Sequence, residues 1–376
     1  MDKDFKKIKL AISCGGTGGH FYPGLSVARK LNQLGGEAIL LLSGVNSANQ
    51  QKISESVQVK SYALPNMCHP LKNPIKFLKG FFGGFIQARK ILKENEIDAI
   101  LGMGSFASLP PIFAAKTLKL PLFLHDGNAR IGKANRYLSF LAKKLWSAFD
   151  MVNSKSLHCP RECIGMPLRP EIIDIERISK SEAITSLNQM FKTELHTELP
   201  TLLIFGGSQG AEIFNVTLPK ALQELAKVYK FQVLHLTGKN KLEYTQKLYN
   251  EVNFPYLLVE SSENMELFYQ SADLIFSRSG GSTVAEIAFF GKPSVLVPYP
   301  YAAENHQFDN AQYLASNDSA IILDNKNCQA EKIIAALDRL LANPKELSAM
   351  ADKCRKKAKL NVAENILSEI YDFIMQ

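Results

Sequence analysis

No stretch of the 376 residues strings together the roughly 20 apolar residues that carry a helix across a bilayer, so any membrane contact is expected at a surface. The N-terminus does not read as a secretory signal either. Its apolar run IKLAIS is short and passes straight into glycines where a cleavage site would stand. Cysteine is sparse: six residues, at 14, 68, 159, 163, 328 and 354, too scattered for a disulfide framework, which points to reduced thiols in a cytoplasmic protein. The one close pair, in HCPREC (158–163), has no second pair at zinc spacing and reads as structural. No glycine loop closes on Gly-Lys-Ser/Thr, which excludes an ordinary P-loop NTPase. The dinucleotide fingerprint fails as well. Counted from Gly16, Gly18 fills the second glycine position but Phe21 the third, and LLSGVNSANQQ after the second apolar run carries no acid, which disfavours a nicotinamide or flavin dehydrogenase.

The residues that are present suit a soluble globular protein: 46% hydrophobic and 21% charged, in a chain long enough for two domains with separate cores. A net charge of +8, from 44 basic and 36 acidic residues, favours an anionic partner, whether nucleotide, phospholipid surface or nucleic acid. Short apolar runs alternate with amphipathic stretches, the mark of βαβ units and parallel sheets. Strands are predicted at KLAIS, AILLLS, DAILGM, PLFLH and KLWSAF in the first half, and at TLLIFG, QVLHLTG, YLLVE, DLIFSRS and SVLVPY in the second. The stretches IKLAISCGGTGGHFYPGLSVARKL and PTLLIFGGSQGAEIFNVTLPKAL echo each other as strand, glycine turn and helix. The fold class is therefore α/β, two doubly wound parallel-sheet domains. The connection MPLRPEIIDIERISK (166–180) places the boundary near residue 167: a first domain over 1–167, a second over 168–358, and helical pattern continuing through EKIIAALDRLLA and ENILSEIYDFIM.

Three glycine turns stand out: GGTGGH (15–20), GGSQGA (206–211) and SGGSTVAE (279–286). Glycine between a strand and a helix lets backbone N–H groups approach a phosphate, and the helix N-terminus adds a favourable dipole. A single such turn can be merely structural; three in one chain point to anion binding.

Together GGTGGHFYPGLSVA, LGMGSFASLPPIFAA, LHDGNARIGKANR, FGGSQGAEIFN, RSGGSTVAEIAFFGKPSVLVPYP and ENHQFDNA closely resemble the MurG family, from residue 8 to about 316 in the family's order. These bacterial enzymes add N-acetylglucosamine, from its UDP donor, to undecaprenyl-diphosphate-linked muramyl-pentapeptide in peptidoglycan synthesis, and so serve cell shape and division. The resemblance implies a GT-B architecture, two Rossmann-like domains facing a cleft, with a C-terminal helix (359–376) crossing back to the N-terminal domain. It implies UDP-N-acetylglucosamine, the lipid-linked acceptor and an anionic membrane surface as partners, no nucleic acid, and a peripheral place on the cytoplasmic face of the inner membrane. No Asp-x-Asp motif follows an apolar run, so no essential metal and no cofactor are expected.

The resemblance also assigns roles. His20 is the catalytic candidate, an imidazole suited to take the proton of the attacking hydroxyl, or else a ligand of the acceptor diphosphate. Thr17, Gly18 and Gly19 fall in the sugar-donor or acceptor-diphosphate site, and Asn128 in the donor-sugar site, although Asp126 and Gly127 stand where the family more often has glutamate and glutamine. Ser208 and the turn Gly281, Ser282, Thr283, Val284 and Ala285 fall at the donor, Glu286 at the ribose diol, and Gln307 at the sugar hydroxyls. Arg169 and the backbone of Ser262 fall near the uracil, with Met166 in place of the usual asparagine.

The segment 69–93 carries Ile75, Leu78, Phe81, Phe82 and Phe85 near helical spacing, among Lys72, Lys76, Lys79, Arg89 and Lys90. Buried against a sheet it would be a core helix. Its wide apolar arc and almost wholly basic charge read instead as a membrane contact through those five apolar residues. Other readings are a related GT-B glycosyltransferase acting on a diacylglycerol or a small molecule, a UDP-sugar epimerase of the same architecture, against which GGTGGH with GGSQGA argues, and a non-catalytic UDP-sugar-binding protein recruited to a membrane.

Overall fold

The computed structural model describes residues 3–67, 73–207 and 209–376. The chain divides into two compact units, Met1–Arg169 with Lys359–Gln376, and Pro170–Ala358. In the first, β1 (Lys9–Gly15), α1 (Gly18–Gln33), β2 (Glu37–Ser43), α2 (Ser47–Ser56), β3 (Lys60–Ala63), α3 (Pro74–Glu94), β4 (Ala99–Gly102), α4 (Leu109–Thr117), β5 (Leu122–Asp126), α5 (Lys133–Leu138), β6 (Lys144–Ser147) and β7 (Arg161–Cys163) follow in turn. They build a parallel sheet in the order β3-β2-β1-β4-β5-β6-β7.

Both faces of that sheet are covered. Leu10, Ile12 and Cys14 of β1 share a core with Phe21, Leu25 and Leu31 of α1, while Ala11 joins Ile39, Ile91 and Ile112 on the other side. A strand buried on both faces is apolar at most positions, which is why such strands stand out in the sequence as nearly continuous runs.

The second unit runs α6 (Pro170–Ile173), α7 (Lys180–Phe191), β8 (Thr201–Phe205), α8 (Glu212–Leu225), β9 (Gln232–Leu236), α9 (Leu242–Tyr249), β10 (Tyr256–Val259), α10 (Met265–Ser271), β11 (Leu274–Ser277), α11 (Gly281–Phe290), β12 (Ser294–Leu296), α12 (His306–Ala315), β13 (Ala320–Ile322), α13 (Ala330–Leu341) and α14 (Pro344–Arg355). Its parallel sheet has the order β10-β9-β8-β11-β12-β13. A final helix, α15 (Val362–Ile374), belongs to the first unit, where Ile366, Leu367 and Ile370 join the core beside α1. Glu369 of α15 accepts hydrogen bonds there from Lys144 Nζ at 2.5 Å and Trp146 Nε1 at 3.2 Å.

All ten apolar runs read as strands are strands. The three that were missed, β3, β7 and β13, are edge strands of three or four residues, and none is buried along its whole length. The sheet orders also explain where the glycine turns stand. β1 lies between β2 and β4, and β8 between β9 and β11, so each sheet reverses its winding direction at that strand. The space beyond the carboxyl ends of such a strand pair is where open α/β sheets bind ligands. GGTGGH leaves β1, GGSQGA leaves β8 and SGGSTVAE leaves β11.

Candidate active site

In the second unit the turn after β8 is built so that only glycine fits. A Cβ on Gly206 would lie 2.3 Å from the Ala211 nitrogen, and one on Gly210, where φ is +65°, would lie 2.0 Å from the Thr237 carbonyl oxygen. Gly207, at φ +85°, has nothing within 4 Å of its would-be Cβ and opens outward. Ser208, expected at the donor phosphates, lies outside the described residues.

The turn after β11 is held from below. Ser279 Oγ donates to the Gln307 carbonyl at 2.8 Å, and Asn310 Nδ2 donates to the Ser279 carbonyl at 3.1 Å. Gly280 caps α11, whose first turn holds no acid and receives no side-chain cap. The N–H groups that a helix leaves unbonded in its first turn here belong to Gly281, Ser282 and Thr283, half-buried residues at the positive end of the dipole. Val284 differs: its side chain is buried and its N–H donates to the Gly280 carbonyl at 3.0 Å, which turns it to the core. Ala285 beside it is half-buried.

One turn further on, Glu286 is buried and Tyr269 Oη donates to its Oε2 at 2.8 Å. Gln307, in the first turn of α12, accepts from the Tyr299 N–H at 2.9 Å through Oε1, which directs its amide nitrogen away from that contact. Ser262, between β10 and α10, accepts from the Asn264 N–H at 3.1 Å, so its hydroxyl shapes the loop and its backbone is the part left for a ligand. These positions share the carboxyl-terminal edge of one sheet.

Two residues of this edge escaped the sequence reading. Arg278, buried just before the turn, donates from Nη1 to the carbonyls of Val297 and Pro298 and to Asn325 Oδ1 at 2.8–3.2 Å, with Phe214 and Tyr299 rings against it. Burial lowers its pKa, and its hydrogen-bond partners are all neutral. Tyr269 is the other; it sits inside an ordinary apolar helix pattern, and only its bond to Glu286 marks it.

In the first unit, Gly15 (φ +132°) and Gly16 (φ +80°) turn the chain out of β1, and a Cβ on Gly15 would lie 2.7 Å from the Ser43 carbonyl oxygen. Thr17 caps α1, and Gly18 and Gly19, both exposed, form its first turn. Thr17 Oγ1 and His20 Nδ1 are 3.0 Å apart. That contact fixes the ring, and the tautomer then fixes its chemistry. With Nδ1–H donating to Thr17, Nε2 carries a lone pair and can act as a base; in the reverse tautomer Nε2–H can only donate.

The loop after β5 is set by Asp126, a buried carboxylate that accepts from the N–H groups of Asn128 (3.1 Å) and Gly132 (2.9 Å) and from Asn135 Nδ2 (3.0 Å). Desolvation pushes its pKa up while these bonds pull it down. The Asn128 side chain also bonds Asp126, so Asn128 is held at the loop tip by its own neighbour. His125 is buried, donates from Nε2 to the Gly165 carbonyl at 2.8 Å, and is pushed down to about 4 by that burial, hence neutral. Met166 closes over Gly127, where a Cβ would meet its Cε at 3.0 Å. Arg169 stacks on Tyr22 of α1, its Cζ 5.1 Å from the ring centroid, within the first unit.

The basic, aromatic segment forms α3, capped by Asn73, whose side chain accepts from the Lys76 N–H at 2.9 Å. Its five apolar candidates split. Ile75 (68% exposed), Leu78 (50%) and Phe82 (57%) lie outward with Ile86 (66%), at steps of three and four residues. Phe81 and Phe85 are half-buried: Phe81 packs on the Phe77, Phe82 and Phe113 rings and Phe85 against the core, so each offers less surface than the other three. The cause is the opposite face, where Gly80 and Gly84 bring α3 so close to its neighbours that a Cβ would lie 2.7 Å from the Asn66 carbonyl oxygen or 3.2 Å from Pro110 Cβ. Among the described residues no helix is long and apolar enough to cross a membrane, and no cluster of three or more possible ligands for a metal ion occurs.

Comparison with known proteins finds relatives over nearly the whole chain. The family model described as the glycosyltransferase family 28 N-terminal domain matches residues 10–147, and that for the family 28 C-terminal domain matches residues 201–366. A protein of Geobacter sulfurreducens named UDP-N-acetylglucosamine–N-acetylmuramyl-(pentapeptide) pyrophosphoryl-undecaprenol N-acetylglucosamine transferase is 30% identical over 367 residues, covering 96% of this chain and 98% of its own. A protein of the same name from Psychromonas ingrahamii is 32% identical over 372 residues, with the same coverage. The solved structure of Acinetobacter baumannii MurG superposes with a TM-score of 0.76 at 27% identity, covering 98% of this chain and 99% of that one.

Proposed function

The chain belongs to the MurG family of glycosyltransferases, and we infer from that premise that it moves N-acetylglucosamine from UDP-N-acetylglucosamine to undecaprenyl-diphosphate-linked N-acetylmuramyl-pentapeptide, in peptidoglycan synthesis. Its fold is the GT-B pairing of two Rossmann-like domains. The observation that carries the assignment of roles is the second sheet's carboxyl edge, where two glycine turns stand beside a buried carboxylate and a buried guanidinium with neutral partners.

On this reading the donor's diphosphate lies against the N–H groups of Gly281–Thr283 and the glycine turn after β8, with Ala285 alongside and the Arg278 cation adding favourable charge. Developing negative charge on the leaving UDP is then stabilised by fixed dipoles and a fixed cation. Glu286 accepts hydrogen bonds from the ribose diol, the Ser262 backbone and Arg169 serve the uracil, and the Gln307 amide serves the sugar hydroxyls.

In the first unit, Thr17, Gly18 and Gly19 hold the acceptor diphosphate, Asn128 serves the transferred sugar, and His20 is the general base. The attacking hydroxyl of the acceptor forms its bond to the anomeric carbon as that carbon's bond to UDP breaks, with inversion, and the hydroxyl proton passes to His20 Nε2. The 3.0 Å contact of His20 Nδ1 with Thr17 Oγ1 supports this role, since it suits the tautomer that donates Nδ1–H to Thr17 and keeps the lone pair on Nε2.

The acceptor's polyprenyl tail stays in a bilayer, so the enzyme works at a membrane surface. The exposed stripe Ile75, Leu78, Phe82 and Ile86, flanked by Lys76 and Lys79, is the contact, and the place is the cytoplasmic face of the inner membrane. The deciding experiment offers radiolabelled UDP-N-acetylglucosamine with either the muramyl-pentapeptide lipid or diacylglycerol. Label in the first alone supports the assignment, and label in diacylglycerol overturns it.

A further inference from the structure

We propose that Tyr269 is a positioning residue for donor recognition: its hydroxyl fixes the Glu286 carboxylate in the orientation that receives the nucleotide's ribose. The proposal rests on the reading of Glu286 as the ribose ligand.

Glu286 is a carboxylate at 8% exposure in the second turn of α11, and Tyr269 is fully buried on α10. The phenol donates to Oε2 at 2.8 Å in a site largely shielded from water. A carboxylate on a flexible side chain gains specificity for a diol only when its two oxygens are held in one plane. Here the Tyr269 phenol ties Oε2 to α10, which restricts the orientations that the carboxylate can take.

The phenol is itself immobilised. Its ring stacks on Phe290 of α11, with centroids 4.8 Å apart and planes 8° from parallel, and meets Phe205 of β8 edge-on at 5.8 Å. Phe205 is the last residue before the Gly206 turn, and Phe290 lies four residues beyond Glu286, one helical turn along the same helix. Tyr269 therefore joins the element bearing the ribose carboxylate to the strand bearing a phosphate turn, and its own helix opens directly after the Ser262 loop. One side chain fixes the spacing of three parts of the donor site.

Tyr269→Phe removes the hydroxyl and leaves the ring packing. Calorimetry on the full-length protein, with UDP and with 2′,3′-dideoxy-UDP as ligands, separates the possibilities, with Glu286→Ala measured alongside. We expect Tyr269→Phe to weaken UDP by about 3- to 10-fold, the loss of one hydrogen bond to a charged group felt indirectly. The dideoxy nucleotide, which offers no diol, should bind wild type and variant alike, and in transfer assays the loss should fall on donor KM more than on kcat. Equal weakening of both nucleotides would make Tyr269 merely structural and overturn the proposal. So would unchanged UDP binding in Tyr269→Phe while Glu286→Ala weakens it. If Glu286→Ala leaves the ratio of UDP to dideoxy-UDP affinity unaltered, the ribose reading itself falls and the proposal with it.

Discussion

Replacing Ile75, Phe82 and Ile86 together with serine should release the enzyme from membranes without unfolding it. The three side chains are 68%, 57% and 66% exposed, so each has more than half of its surface available for insertion, and little of it supports the fold. Full burial of such a side chain is worth roughly 1.5–3 kcal/mol, so partial insertion at an interface gives about 1 kcal/mol each, or about 3 kcal/mol for the triple variant, a hundredfold or more in partitioning. Lys76 and Lys79 would add about 1 kcal/mol each on anionic lipid, a part that fades with salt. Sedimentation with anionic vesicles at low and high salt reads both parts. The variant's melting temperature should stay within a degree or two of wild type, and it should still transfer sugar to a short-chain soluble acceptor. Phe81→Ser is the contrasting control: that ring packs on three others, so the change should lower the melting temperature. Undiminished vesicle binding by the triple variant would refute the membrane role of this stripe. A collapse in its melting temperature would show that the stripe is core.

Glu286→Ala should weaken UDP by about 1.5–3 kcal/mol, because a buried acceptor of the ribose diol is lost; unchanged calorimetric affinity would remove Glu286 from the site. His20→Ala should lower kcat by roughly 100-fold with UDP binding little altered, whereas a raised acceptor KM at near-normal turnover would make His20 a diphosphate ligand. Gly210→Ala should destabilise the second unit by about 2 kcal/mol or more, since the new methyl would meet the Thr237 carbonyl in a positive-φ turn, and a thermal melt reads the loss. Acid should also loosen the fold. Burial holds His125 near 4 and His235 near 3, against 6.5 unfolded, so between about 6.5 and these values both are neutral in the native state while the unfolded chain binds their protons. Stability therefore falls as pH drops from about 6.5 toward these folded values, by about 2 kcal/mol in each unit between pH 7 and 5. Urea midpoints at the two pH values check it, and His235→Gln should flatten the dependence in the second unit.

The strands were legible in the sequence wherever both faces of the sheet are covered, because burial on two sides writes a nearly continuous apolar run. β3, β7 and β13 lie at sheet edges, where KSYA and REC keep polar residues in solvent and AII is too brief to stand out, so no run marks them. The glycine turns were legible for a related reason: approaches as close as 2.0 Å to a would-be Cβ leave no other residue type possible. Such constraints act within a few residues of each other and so leave a local pattern.

What stayed hidden depends on partners distant in the chain. Phe81 and Phe82 are adjacent and chemically identical, and the path of α3 over Asn66 and Pro110, fixed by Gly80 and Gly84, leaves one ring half-buried and the other exposed. Tyr269 and Arg278 follow the same logic. A tyrosine in an apolar helix and an arginine at a strand end carry no signal of their own, since one matters through a carboxylate seventeen positions away and the other through carbonyls about twenty positions away. Motif reading finds groups that meet the ligand beside a tight turn, whereas groups that hold those residues in place emerge only once the sheet has brought separate strands side by side.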